Sequence, residues 1–257
     1  MLTKAAADYE QQVVELVNQE RWNNGQLSPL KRVTELDSAA ELHSGNMGTR
    51  NFFAHCDLDT GTLPSNRAIA AGYGAGAAEN IAAGYTTPSA VMTGWMTSTT
   101  GHRENILSAS YREIGVGYVL DSSDSDNVRL ESNGDCNADG GLGGPYYHYW
   151  TQNFGQRSSV YPVIINREAY VTTSRSVQLY LYGTGWAQEM RLNNDGGTWT
   201  AWQPFSANVA NWQLSAGNGT KTVNVELRNG ATVRTASDTI ILEGQAGNDV
   251  ILQDQFE

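Results

Sequence analysis

Positive charge is scarce in this chain. Sixteen Lys and Arg, only three of them Lys, stand against twenty-seven Asp and Glu, for a formal charge of −11. A surface of that sign repels phosphate backbones and anionic lipid, which excludes nucleic-acid binding and electrostatic docking on a membrane. Long apolar runs are missing as well: none approaches the ~20 residues a membrane-crossing helix needs. No G-x-S-x-G or H-E-x-x-H occurs, and His55 is followed directly by Cys56, a sequence adjacency that does not give the geometry of a catalytic Cys–His dyad. The opening Met1-Leu2-Thr3 does not begin a secretory signal peptide, so an expectation of secretion relies on a leader this sequence does not include.

Cysteine is nearly absent. Cys56 and Cys136 allow one disulfide, which would close a loop of roughly 80 residues and contribute on the order of 4 kcal/mol by chain entropy. The alternative is two free thiols in a reducing compartment. The Asn-, Gly- and Thr-rich, Lys-poor composition looks extracellular and favours the bridge.

What is abundant suits packed cores: 40% hydrophobic residues, with seven Trp and twelve Tyr, in 257 residues, enough for one large or two ordinary domains. The acidity lies mostly in the first part, where residues 1–157 carry 18 acidic and 10 basic groups against 9 and 6 in the remainder. Helical periodicity marks Tyr9, Val13, Leu16 and Val17, then residues 34–49, where Leu36, Ala39, Ala40, His43 and Met47 form one stripe. His43 on that stripe reads as a hydrogen-bonded core histidine. A short helix is expected over 64–71. Residues 113–120 and 146–154 read as strands, giving an α+β layering.

The chemistry concentrates between Ala78 and Leu107. Thr87-Pro88 is an N-cap followed by proline at the first helical position, and Val91, Met92, Trp95 and Met96 give the helix one buried face. Ser98-Thr99-Thr100-Gly101 stops it, so His102 is expected on a loop. Glu79 stands at the other end of the stretch. Further on, residues 121–144 hold six acids and one Arg; within them Asp135, Asn137 and Asp139 have the spacing of a calcium loop, although the twelfth position is Tyr146 and not Glu. The alternative is a solvated acidic hairpin loop.

From Val163 onward the helical period gives way to short alternating runs separated by Gly, Asn and Asp turns, as in a β-sandwich. Trp186, Trp199, Trp202 and Trp212 are expected to fill its core or inter-sheet space, in preference to forming a sugar-stacking platform. The expected division is a first domain over 1–157, a linker over 158–163, a sandwich over 164–243 and a polar tail over 244–257.

The first part resembles the CAP superfamily of cysteine-rich secretory, antigen 5 and pathogenesis-related-1 proteins, also called SCP domains, in its bacterial branch. The resemblance rests on residues 14–21, Phe53-Ala54-His55, Ala78-Glu79-Asn80-Ile81-Ala82, Gly94-Trp95-Met96, residues 101–107, residues 113–118 and Tyr149-Trp150-Thr151-Gln152. It implies an α–β–α sandwich with an open cleft carrying two His and two acids. By motif, His55 and His102 match the histidines and Glu79 one acid. The second acid is missing at Met96-Thr97-Ser98-Thr99, and neither Glu104 nor Glu113 occupies its place. The second part looks like the immunoglobulin-like modules of bacterial surface proteins.

His55, Glu79 and His102 together can bind a divalent cation such as zinc or magnesium, act as general acid and base, or hold a polar network. The first reading is an extracellular, monomeric, non-enzymatic protein that binds a cation, and a small-molecule, lipid or peptide ligand, in that cleft, with calcium in the acidic loop as a further candidate. The alternative is a metal-dependent or serine-type hydrolase, with Ser98 beside His102 if the loop folds back.

Overall fold

The structure, a computed structural model, describes residues 8–244; residues 1–7, and all of the expected tail beyond Gly244, lie outside the described residues. The first unit runs α1 (Tyr9–Asn23), β1 (Lys31–Arg32), α2 (Thr34–Thr49), β2 (Phe52–Phe53), α3 (Pro64–Ala70), β3 (Ala77–Ala83), α4 (Pro88–Thr97), α5 (His102–Leu107), β4 (Glu113–Leu120), β5 (Val128–Leu130), β6 (Leu142–Gly143) and β7 (His148–Gly155). Its main sheet has the order β1-β4-β7-β3, with β1 parallel to β4 and the other pairs antiparallel. Helices α2 and α3 cover one face, and α1, α4 and α5 the other, so the unit is an α–β–α sandwich.

Strand alternation decides which side chain meets which layer. Ile114, Val116, Trp150 and Phe154 point to the α1 side and pack with Val13, Val14, Val17, Val91 and Trp95. On the opposite face β4 carries Gly115 and Gly117. A Cβ at Gly117 would lie 2.3 Å from the Ala40 carbonyl carbon, so glycine there lets α2 lie directly on the sheet. Strands β2, β5 and β6 form a small second sheet that joins β2 to the acidic segment, and the Cys56–Cys136 disulfide adds a covalent link between the same two stretches.

The second unit is all β: β8 (Val163–Ile165), β9 (Val171–Thr172), β10 (Ser176–Leu181), β11 (Glu189–Asn194), β12 (Gln203–Pro204), β13 (Asn208–Gln213), β14 (Gly219–Asn229) and β15 (Thr232–Leu242). A three-stranded sheet, β13-β10-β8, and a five-stranded sheet, β12-β11-β14-β15-β9, share one core that includes Leu179, Leu192, Val223, Val225 and Ile240. Trp186 and Trp212 pack against that core. Trp199 and Trp202 do not, contrary to expectation: they stand on the outer face of the five-stranded sheet, stacked on Arg191. The strand alternation explains this, since Met190 and Leu192 turn inward and leave Arg191 outside as a cationic seat for the two indoles.

The units meet along α1 and β1. Asn166, Arg167 and Glu168 are three consecutive non-glycine residues with positive φ (46°, 58° and 68°). Two α1 amides hold this left-handed turn, Gln11 Nε2 donating to the Glu168 carbonyl (2.7 Å) and Asn18 Nδ2 to that of Arg167 (3.1 Å). Lys31 Nζ reaches Glu168 (2.6 Å) and Asp238 (2.5 Å). Tyr182 donates to the Pro29 carbonyl (2.9 Å).

Candidate functional site

The site is built around β3, an edge strand that pairs, among the described residues, with β7 alone. Glu79 lies opposite Asn153 and Asn80 opposite Gln152, so successive side chains go to opposite layers. Glu79 enters the α2 side, where its side chain is 1% exposed. Its Oε1 accepts from His55 Nδ1 (3.0 Å) and its Oε2 from Arg67 Nη2 (2.7 Å). The Asn153 amide, in the orientation that satisfies both its ends, adds a bond to Oε2 (3.2 Å). Burial alone would raise the Glu79 pKa, but the His55 bond and the charge of Arg67 outweigh it and hold the carboxyl below its ordinary value.

Arg67 comes from α3, and its guanidinium also donates to the carbonyls of Thr62 (2.7 Å) and His55 (2.9 Å). The same side chain therefore fixes the acid and the backbone of the histidine it orients. His43 lies beneath, donating from Nε2 to the Ala54 carbonyl (2.9 Å), with a buried Nδ1 that has no partner. Burial drives its pKa down to about 4, so it is neutral in ordinary conditions. It is the core histidine the sequence suggests.

Asn80 faces the other layer. It donates to the His102 carbonyl (3.0 Å) and accepts from Asn105 Nδ2 (2.9 Å), which ties α5 to the strand. The edge carbonyl of Ile81 accepts from Trp95 Nε1 (3.1 Å) and that of Glu79 from Asn105 (3.3 Å), so α4 and α5 occupy an edge that would otherwise pair with another strand. Thr87 caps α4 by accepting from the Ala90 N–H (3.2 Å). Thr87→Ala is expected to cost about 1 kcal/mol, read as a shift in urea midpoint at unchanged slope.

His102 is not on a loop. Gly101, in the left-handed region (φ 95°), is the cap of α5, and His102 is that helix's first residue. The sequence stop is thus a stop and a restart. His102 Nδ1 lies 2.9 Å from Ser98 Oγ, because the segment after α4 folds back on the short helix. Burial and the nearby charge of His55 both lower the His102 pKa, which favours the neutral ring.

His102 lines a groove of about 260 Å³ with Phe53, Ile81, Tyr85, Trp95 and Tyr146. His55, with a half-exposed side chain, stands nearby on the Glu79 side. The structure therefore joins His55 to Glu79 directly and brings His102 to the same strand edge from the opposite layer. Both carboxylate oxygens of Glu79 are already bonded. The donors left for a cation are the two imidazoles, and among the described residues no group of three His, Cys, Asp or Glu is arranged to hold a metal.

The other candidate residues lie elsewhere. Glu104 is exposed on α5. Glu113 is buried and accepts from Tyr73 (2.8 Å) and Arg157, bracing the start of β4. In the acidic loop Asp139 accepts from Ser132 N (2.9 Å) and Asp135 from Asn137 N (2.9 Å), so these carboxylates serve their own turns and are not gathered around a common point. Arg67 is a residue the sequence did not single out. Its one local mark is a lone cation on a short helix of small residues, and its partner is twelve positions away.

A family model described as the cysteine-rich secretory protein family, CAP, matches residues 14–154. The uncharacterised protein YkwD of Bacillus subtilis (strain 168) is 40% identical over 116 residues, which is 45% of this chain and 44% of that protein. The match thus spans less than half of that relative's length. Among solved structures, an extracellular SCP-domain protein from Bacillus anthracis str. Ames is 27% identical with a TM-score of 0.42, over 58% of this chain and 40% of the other. An outer surface protein of Borrelia burgdorferi is 14% identical with a TM-score of 0.43, over 60% of this chain and 100% of the other.

Proposed function

Because this chain belongs to the cysteine-rich secretory protein (CAP) family, we propose that it is an extracellular bacterial binding protein whose β3 groove takes a small or lipid-like ligand, with a divalent cation held weakly by His55 and His102. The observation that carries this reading is the saturation of Glu79. A carboxylate bonded at both oxygens by Arg67 and His55 is a fixed scaffold, not a base awaiting a proton. What remains available is an aromatic and aliphatic wall that includes the His102 imidazole, with the half-exposed His55 ring nearby, a combination suited to an apolar ligand with a polar end. The second unit, read as an immunoglobulin-like module, serves as a separate surface of the same secreted protein.

For the cation, two imidazoles with no third His, Cys, Asp or Glu grouped with them among the described residues fit an open site completed by water, which is weaker than a closed structural zinc site. Glu79 acts behind His55 by orienting its ring. Zinc binding by calorimetry is expected to be weak at pH 7.5, to be lost in His102→Ala, and to fade as pH falls through ~6, since protonated imidazole cannot ligate. Equal zinc affinity in wild type, His55→Ala and His102→Ala would rule the cation reading out.

One contact favours a second reading, a serine-type hydrolase: Ser98 Oγ lies within hydrogen-bond reach of His102 Nδ1. Against it, no carboxylate among the described residues bonds the His102 ring, so nothing there orients the base in the manner of a catalytic triad. Incubation with casein and a panel of esters, with and without EDTA, separates the two readings. The binding reading expects no turnover; turnover abolished by Ser98→Ala would replace it with the hydrolase.

A further inference from the structure

The outer face of the five-stranded sheet carries a layered set of side chains fixed by strand register. Glu189 and Arg228 lie opposite one another, then Arg191 with Glu226 and Thr235, then Asn193 with Asn224 and Ser237. The first two rows are closed by ion pairs, Arg228–Glu189 and Arg191–Glu226, each at 2.6 Å. Trp202 lies against the guanidinium groups of both Arg191 (4.7 Å) and Arg228 (4.2 Å). Trp199 is the terminal ring of this stack, seated on Arg191 alone (5.1 Å). It ends at the uncharged third row, where Asn224 Nδ2 bonds Asn193 Oδ1 (2.9 Å).

A groove of about 490 Å³ opens where the terminal indole meets that row, and Trp199, Asn193, Asn224, Thr235 and Ser237 line it. Among the described residues no ionisable side chain lines it. Amides and hydroxyls each donate and accept, which suits the hydroxyls of a sugar, while an indole offers its face to the C–H side of a pyranose ring. Phosphate or carboxylate ligands would find no free cation in the groove, because Arg191 is already paired with Glu226. Cationic ligands would find no carboxylate. The ring is also held in advance by its cation–π seat, so little freedom is lost on binding.

We propose that this Trp199 groove is a binding site for a neutral polysaccharide, independent of the β3 groove. The test is native affinity electrophoresis of the full chain through gels containing hydroxyethylcellulose, glucomannan or glycol chitin, with anionic carboxymethylcellulose as the charged comparison. At least one neutral polymer is expected to retard the wild type more than the anionic one does. Trp199→Ala is expected to weaken retardation about tenfold. Ser237→Glu, which leaves the cation–π stack untouched and places a charge in the uncharged row, is expected to do the same at an unchanged urea midpoint. Its result decides the matter if Trp199→Ala perturbs folding. Absence of retardation by every neutral polymer, or retention of wild-type retardation in Ser237→Glu, overturns the proposal.

Discussion

Arg67→Met is expected to destabilise the protein by about 3–5 kcal/mol, the cost of leaving a buried carboxylate without its cation. Both side chains are essentially inaccessible, 2% exposed for Arg67 and 1% for Glu79. Removing the guanidinium strips three acceptors at once: Glu79 Oε2 and the carbonyls of Thr62 and His55. With the cation gone, burial dominates and the Glu79 pKa rises, so the variant's deficit should shrink as pH falls and the acid takes up a proton. Adding Glu79→Gln to Arg67→Met should recover part of the loss, because no charge is then left uncompensated. Urea melts of the two single variants and the double variant at pH 7 and pH 5 test this. A loss below about 1 kcal/mol in Arg67→Met would mean that the pair is solvated and does not hold the groove.

The legible parts of the fold were those with a sustained local period. Helix α2 occupies residues 34–49, the span its apolar stripe predicts, and β4 spans 113–120 as its alternation predicts. The motif residues around Glu79 could be found because they lie on a strand whose neighbours are small or apolar. The misplaced ring was His102, since a six-residue helix is shorter than two turns and shows no period; Gly101 reads as an end when it is also a beginning. Arg67 was invisible for another reason: its role depends on a partner in a different element, and nothing in Pro64–Ala70 announces one. Sequence alone does not place Trp199 and Trp202, because an indole is equally at home in a core or on a guanidinium. The seam had no signal either, as Arg167 and Glu168 carry no glycine-like mark for the left-handed turn they adopt.

That seam and the groove share a helix. Helix α1 holds the left-handed turn through Gln11 and Asn18, and one turn further along it presents Arg21. The buried Arg21 donates to the carbonyls of Ile106 (2.7 Å) and Ser108 (2.8 Å) at the end of α5, the helix that begins with His102. Loosening α1 would therefore act on both places.

The seam's own stability should fall as pH rises, opposite to the trend that salt-bridged surface acids produce. Glu168 is buried against Lys31 and Asp238, and its Oε2 has no hydrogen-bond partner. Burial, reinforced by the Asp238 charge, pushes its pKa up from 4.5 to about 8 even though Lys31 pulls the other way. Burial alone would lower the Lys31 pKa, but its acidic partners Glu168 and Asp238 raise it, so the ammonium keeps its own proton and the additional one resides on Glu168. Between about pH 4.5 and 8 the folded state then binds more protons than the unfolded chain. Stability from this group is complete below that window and is lost as pH climbs through it, by at most about 1.4 kcal/mol per pH unit. The remaining charged neighbours are Arg32 and Asp37, which pair with each other (2.8 Å), and burial raises the Asp37 pKa as well, so its contribution has the same sign. Glu168→Gln separates the two. Its amide oxygen keeps the Lys31 contact, its amide nitrogen fills the orphan position with a neutral group, and nothing titrates. Urea melts from pH 5 to pH 9 should show Glu168→Gln gaining on the wild type by a few kcal/mol at the alkaline end and matching it near pH 5. A difference between the two that does not vary with pH would show that Glu168 is ionised throughout and that Lys31 alone balances the two carboxylates.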